Sequence, residues 1–108
     1  MSNILVCDDE KDIVVALKIY LSSDGHTVFE AYNGRQAIDI IHKNNIDLAL
    51  LDVMMPVTDG ITAVAEIRKF SNLPIILLTA KSEDTDKILG LNVGADDYVT
   101  KPFNPVEV

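Results

Sequence analysis

Residues 48–67 read LALLDVMMPVTDGITAVAEI, and the fold is decided there. The first four are apolar, short enough and continuous enough to predict a strand buried on both faces. Asp52 ends the run. Turn signals follow at Pro56, Asp59 and Gly60, and Gly60 suggests an unusual backbone angle. Apolar residues then recur at helical spacing, at Ile61, Val64, Ala65 and Ile67. The stretch is a strand, a loop and a helix.

Outward from it the same rhythm repeats. Short apolar runs lie at 4–7, 27–31, 75–78 and 97–100. Helical stripes lie between them: Ile13, Leu17 and Leu21; Ala37, Ile40 and Ile41; and a weaker one at Ile88 and Leu91. Strand and helix in alternation predict an α/β fold, a doubly wound parallel sheet with helices on both faces. Runs 4–7, 48–51 and 75–78 are apolar throughout and belong inside the sheet. Runs 27–31 and 97–100 carry polar residues (Thr27, Glu30, Asp97, Thr100) and suit its edges. A five-stranded order of 2-1-3-4-5 satisfies both. Its switch point lies at the carboxyl ends of strands 1 and 3, where such folds bind ligands.

At 108 residues the chain is one domain, with no internal repeat or low-complexity stretch. Its 48% hydrophobic content excludes disorder, and no apolar run approaches the ~20 residues that span a bilayer. The start runs straight into Asp8, Asp9, Glu10 and Lys11, unlike a signal peptide. A single cysteine, Cys7, allows no internal disulfide, fits the cytoplasm, and reads as a small buried hydrophobe. With 17 acidic against 9 basic residues, a net charge of -8, this domain is not expected to grip nucleic acid itself. Asn104 and Pro105 read as the opening of a helix that residues 106–108 do not complete, so the final helix is expected to be truncated.

Chemistry-bearing residues gather at the strand ends. Asp8 and Asp9 follow strand 1, Asp52 follows strand 3, Thr79 follows strand 4 and Lys101 follows strand 5. Three converging carboxylates repel one another unless a cation sits among them. Oxygen-rich acidic sites suit Mg²⁺. A plainer reading of Asp8, Asp9 and Glu10 is that they begin the first helix, where acids favour the dipole. His26 and His42 fall away from this cluster and read as surface residues. Met54 and Met55 read as packing, since Mg²⁺ prefers oxygen.

The motifs Val6-Cys7-Asp8-Asp9-Glu10, Leu51-Asp52-Val53-Met54-Met55-Pro56 with Asp59-Gly60, Thr79-Ala80-Lys81 and Lys101-Pro102-Phe103 lie between residues 6 and 103, and the resemblance they carry covers the whole chain. Together they resemble the receiver domain of bacterial two-component response regulators. Gly94-Ala95-Asp96-Asp97-Tyr98 resembles the OmpR/PhoB subfamily, whose members carry a winged-helix DNA-binding domain after the receiver. The resemblance implies a flavodoxin-like, CheY-like fold and a phosphoacceptor rather than an enzyme. It implies phosphorylation of Asp52 by a sensor histidine kinase, with Mg²⁺ on Asp9, Asp52 and the Met54 backbone carbonyl and on Asp8 through water. Lys101 and Thr79 would contact the phosphoryl group, and Thr79 and Tyr98 would form the switch. Lys87, Asp96, Asp97 and Glu107 match positions on the face through which phosphorylated members pair as homodimers. DNA would be met only through the further domain, and no membrane is implied. Met54 and Lys81 stand where the family tunes phosphoryl lifetime, and neither can orient a hydrolytic water. Slow self-dephosphorylation is therefore expected.

Three other readings compete. A Mg²⁺-dependent aspartyl-phosphate hydrolase of the haloacid dehalogenase kind wants an acid two residues after its nucleophile, where Met54 stands. A flavodoxin-like nucleotide or flavin binder wants a Gly- or Ser/Thr-rich loop after strand 1, where Asp8, Asp9 and Glu10 stand. An unphosphorylated pseudo-receiver needs none of Asp8, Asp9, Asp52, Thr79 and Lys101, yet all five are present.

Overall fold

A computed structural model describes residues 2–53, 59–80 and 94–101. For residues 79, 80 and 97–101 the description covers the backbone alone. The elements run β1 (Asn3–Cys7), α1 (Lys11–Ser23), β2 (Thr27–Ala31), α2 (Gly34–Lys43), β3 (Leu48–Asp52), α3 (Gly60–Arg68), β4 (Ile75–Ala80) and β5 (Asp97–Lys101). The strands form one five-stranded sheet in the order β2-β1-β3-β4-β5, and every pairing is parallel. This is the order implied by strand character. β2, at an edge, has a mostly half-exposed pattern, whereas β1 and β3 are buried along almost their whole length.

Alternation along the strands divides the core into two layers. Leu5, Cys7, Ala49, Leu51, Ile75 and Leu77 face α2 and α3, packing with Ala37, Ile38, Ile41, Ala63, Val64 and Ile67. Ile4, Val6, Leu50 and Leu78 face α1, packing with Val14, Leu17 and Leu21. A fully buried leucine contributes ~1.5–3 kcal/mol over an exposed one. Leu5, Leu50, Leu51, Leu77 and Leu78 are all fully buried. The three interior strands therefore carry the stability, and exposed ion pairs such as Arg35–Asp39 and Lys69–Glu66 add little.

Helix faces differ in detail from the sequence expectation. α1 buries Val14 where Ile13 was expected, and Ile13 is half-buried at the rim. α2 buries Ile38 where Ile40 was expected, and α3 buries Ala63 where Ala65 was expected. α1 and α3 carry apolar residues on more than one face, which leaves their phase loose, whereas in α2 the buried and half-buried isoleucines share one apolar face. The stripe at Ile88 and Leu91 and the final helix expected from Asn104 lie outside the described residues.

Gly60 differs in mechanism. Positive φ occurs at Gly25 and Gly94, whereas Gly60 is the first residue of α3, after the N-cap Asp59. A Cβ on Gly60 would collide with the backbone oxygen of Asp52 and lie 2.9 Å from both the Asp52 carbonyl carbon and the Val53 Cα. Close approach, not backbone angle, requires the glycine. Its N–H donates to the Val53 carbonyl at 2.9 Å. Asp59 fixes the helix start by accepting from the Thr62 N–H at 2.8 Å and the Thr62 hydroxyl at 3.2 Å. The amino end of α3 thus rests directly on the peptide of Asp52.

Candidate functional site

Parallel pairing delivers all the strand ends to one edge. In the β1–β3 register Cys7 lies opposite Leu51, so the next residues, Asp8 and Asp52, stand side by side. The Asp8 N–H donates to the Ala31 carbonyl at 3.2 Å, continuing the ladder toward β2. Asp52 is also opposite Leu78 of β4, and Thr79 and Ala80 are opposite Thr100 and Lys101 of β5. By alternation Asp8 continues the row of Ile4 and Val6, and Asp52 continues the row of Leu48 and Leu50. Both belong to the α1 side of the carboxyl edge.

Burial sets these two acids apart. Asp8 is 0% and Asp52 4% exposed, and they are the buried charged residues among those described. Carboxylates at such depth are costly unless a charge or hydrogen bonds compensate them. Asp9 and Glu10 beside them are exposed, and carboxylate oxygens of Asp8, Asp9 and Glu10 lie within 4.8 Å of one another. The Asp8 carboxylate also accepts from the Glu10 N–H at 2.9 Å. Glu10 is the N-cap of α1 but makes no side-chain cap, and the first-turn acid is Asp12. The triplet therefore precedes the helix.

Cys7 reports the charge of this corner. Its thiol is fully buried and donates to the Asn33 carbonyl at 3.2 Å. Burial raises its pKa far above the usual thiol range, and the negative charges of Asp8, Asp52 and Asp9 raise it further. Since thiolate is the reactive form, Cys7 should be inert. Iodoacetamide at mildly alkaline pH is expected to alkylate the native protein at least about a hundredfold more slowly than the urea-unfolded chain, because only the opened state exposes the sulfur. Equal rates in a mass-spectrometric time course would show the thiol to be accessible.

The donor set matches a hard divalent cation. It is formed by Asp8, Asp9 and Glu10, whose carboxylate oxygens gather within 4.8 Å, and Asp52, buried at the end of the adjacent strand, stands outside that group. Glu10, part of the Val6–Glu10 motif but not among the expected metal ligands, belongs to the cluster. Met54 and Lys81 lie outside the described residues, as do Lys87 and Glu107 of the expected dimer face. Thr79, Asp97, Tyr98 and Lys101 are placed by backbone register, Tyr98 opposite Leu77. Asp96 has partners within the chain: its Oδ2 accepts from Arg68 Nη2 at 2.9 Å and from the Ile75 N–H at 2.7 Å. The histidines lie elsewhere. His26 accepts from the Ser2 N–H at 3.1 Å, and His42 stacks on Phe70 with ring centroids 3.7 Å apart.

A doubly wound parallel sheet with buried and exposed acids at its switch point belongs to the class of α/β domains that bind ligands at the carboxyl ends of their strands. The family is more specific: residues 4–108 match the response regulator receiver domain, and the chain belongs to that family. It is 48% identical over 105 residues to the regulatory protein VanR of Enterococcus faecium, covering 97% of this chain and 46% of VanR. Identity to the response regulator GtcR of Aneurinibacillus migulanus is 46% over 104 residues, 96% of this chain and 43% of GtcR. The chain thus spans less than half the length of these relatives. Among solved structures, the receiver domain of the TMAO respiratory system response regulator TorR superposes with a TM-score of 0.92 at 36% identity, covering 99% of this chain and 89% of that one. The receiver domain of the Francisella response regulator 1452 gives 0.91 at 39% identity, covering 99% and 89%. Membership implies phosphorylation-dependent signalling. No described helix is long and apolar enough to cross a membrane.

Proposed function

We propose that this chain is a phosphoacceptor switch in which Asp52 takes a phosphoryl group from a sensor histidine kinase. The observation that carries this is the pair of buried carboxylates, Asp8 and Asp52, side by side at the carboxyl edge of adjacent strands. A carboxylate is a competent nucleophile toward phosphohistidine: an Asp52 oxygen forms the new P–O bond, the P–N bond breaks, and the imidazole leaves with its electron pair. The reaction needs mainly positioning and charge neutralisation. Mg²⁺, held by Asp9, Asp52 and the Met54 carbonyl with Asp8 through water, would supply neutralising charge. Lys101 would place a fixed positive charge on a phosphoryl oxygen, and Thr79 would donate its hydroxyl. Thr79 follows Leu78, the residue opposite Asp52, and Lys101 ends β5 opposite Ala80, which supports these roles.

The switch would be a population shift. Moving from ~1% to ~99% active requires ~5.5 kcal/mol of preference for the active state. New contacts from Thr79 and Lys101 to the phosphoryl group are its source, with Tyr98 following Thr79. In the full-length protein the OmpR/PhoB-like motif around Tyr98 supports phosphorylation-driven dimerisation through Lys87, Asp97 and Glu107. Control of transcription through a further DNA-binding domain, in the cytoplasm, follows from the same likeness.

Incubation with Mg²⁺ and acetyl phosphate tests the reading. Uptake is expected to stop at one phosphoryl group per chain. Continuous turnover of many equivalents would indicate a hydrolase instead. The phosphorylated form, freed of donor, is expected to persist for minutes to hours, because neither Met54 nor Lys81 can orient water. Decay within seconds in Mg²⁺ alone would contradict that assignment.

A further inference from the structure

Lys101 can act on a phosphoryl group only if β5 runs in the right register, and β5 is an edge strand with β4 as its single neighbour. A slip of one residue would bring Thr100 opposite Ala80 and reverse every side chain of the strand. Something must therefore anchor β5, and the structure offers an anchor at the opposite end of the sheet from the site.

Arg68, the last residue of α3, sends its side chain, 18% exposed, between the beginnings of β4 and β5. Nε donates to the Gly94 carbonyl at 2.9 Å, Nη1 to the Leu73 carbonyl at 2.7 Å and the Ser71 carbonyl at 3.4 Å, and Nη2 to Asp96 Oδ2 at 2.9 Å. The same Asp96 oxygen accepts from the Ile75 N–H at 2.7 Å, and the Asp96 N–H returns to the Ile75 carbonyl at 2.9 Å. Gly94 is shaped around this side chain. Its φ is 116°, and a Cβ there would lie 3.0 Å from Arg68 Cγ and 3.1 Å from Nε. One planar guanidinium thus fixes the chain before β4 and the chain before β5 relative to each other. Lysine, a point charge, could not serve these acceptors together.

We propose that Arg68, with Asp96, is a positioning residue for phosphoryl transfer: it sets the β5 register that delivers Lys101 opposite Ala80 at the carboxyl edge. The proposal rests on the receiver reading above. It also assigns Asp96 a role inside the chain, in place of the dimer contact implied by the resemblance.

The test compares wild type, Arg68→Gln, Arg68→Lys, Asp96→Asn, Lys101→Ala and Arg68→Gln/Lys101→Ala. Rates of labelling by acetyl phosphate at saturating Mg²⁺ are measured beside Mg²⁺ affinity and the Ala80–Lys101 cross-strand contact by NMR. Arg68→Gln is expected to label about tenfold more slowly, as a small misplacement of a charge-stabilising group does. Arg68→Lys should fail to rescue it. Mg²⁺ affinity should stay within about twofold, because the acids lie at the carboxyl ends of β1 and β3, at the opposite edge of the sheet from Arg68. The double variant should be no slower than Lys101→Ala alone, and the Ala80–Lys101 contact should weaken. Labelling of Arg68→Gln at the wild-type rate, a parallel loss of Mg²⁺ affinity, or fully additive losses in the double variant would overturn the proposal. If Arg68→Gln does not fold, Asp96→Asn decides, since it keeps an acceptor for Ile75 but removes the charge that holds Arg68. Absence of labelling in wild type would sink the receiver reading itself, and the role of Lys101 with it.

Discussion

Asp52→Asn is expected to reduce phosphoryl uptake from acetyl phosphate and Mg²⁺ to background. The substitution keeps the shape of a side chain that is 4% exposed and removes the nucleophilic oxygen pair. Far-ultraviolet circular dichroism should be unchanged, because the backbone of β3 pairs on both sides independently of this carboxylate. Intact-mass measurement reads the outcome directly. Asp9→Asn should behave differently, since Asp9 is exposed and is proposed to contribute only to the cation site. It should still take up the group, but only at raised Mg²⁺. Uptake by Asp52→Asn equal to wild type would place the acceptor elsewhere.

The second large effect concerns packing behind the site. Gly60→Ala is expected to destabilise the domain by about 1–3 kcal/mol, the usual range for forcing extra atoms into a filled space. Alanine's helix propensity would oppose this by at most ~1 kcal/mol, and less at a first helical position. The new Cβ meets the backbone of Asp52 and Val53, not the flexible end of a side chain, so relief requires α3 to move away from β3. Moving α3 also strains the hydrogen bond from the Gly60 N–H to the Val53 carbonyl. Urea denaturation of Gly60→Ala should show a lower midpoint with little change in slope. Phosphoryl uptake should slow in the molecules that remain folded, because the displaced backbone is that of the acceptor. A midpoint equal to or above wild type would mean that the helix and strand are not pressed together there.

Much of this was readable in the residues. The runs at 4–7, 48–51 and 75–78 are apolar at every position, and only a strand covered on both faces has use for that. Asp8 and Asp52 were conspicuous because an acid directly after such a run must lie at a buried strand end. The phase of α1 was not readable: residues 13–17 are IVVAL, which gives periodicity no polar contrast. One consequence is that Val15 and Ile19 stand 47% and 67% exposed. The reason for Gly60 depends on how closely α3 approaches β3, a tertiary fact with no local signature. Arg68 and Asp96 are 28 residues apart, and nothing in either neighbourhood signals their ion pair.

Manganese, standing in for Mg²⁺, offers the most direct examination of the site, through paramagnetic broadening of backbone amide signals in an NMR titration. Substoichiometric metal is expected to broaden together the amides of residues 8–10, 52–53, 79–80 and 101, which belong to four different strand ends, and Asp9→Asn should weaken all of them in parallel. Broadening confined to residues 8–10, with Asp52 and the ends of β4 and β5 unaffected, would show that the acids of β1 and β3 do not hold one common ion.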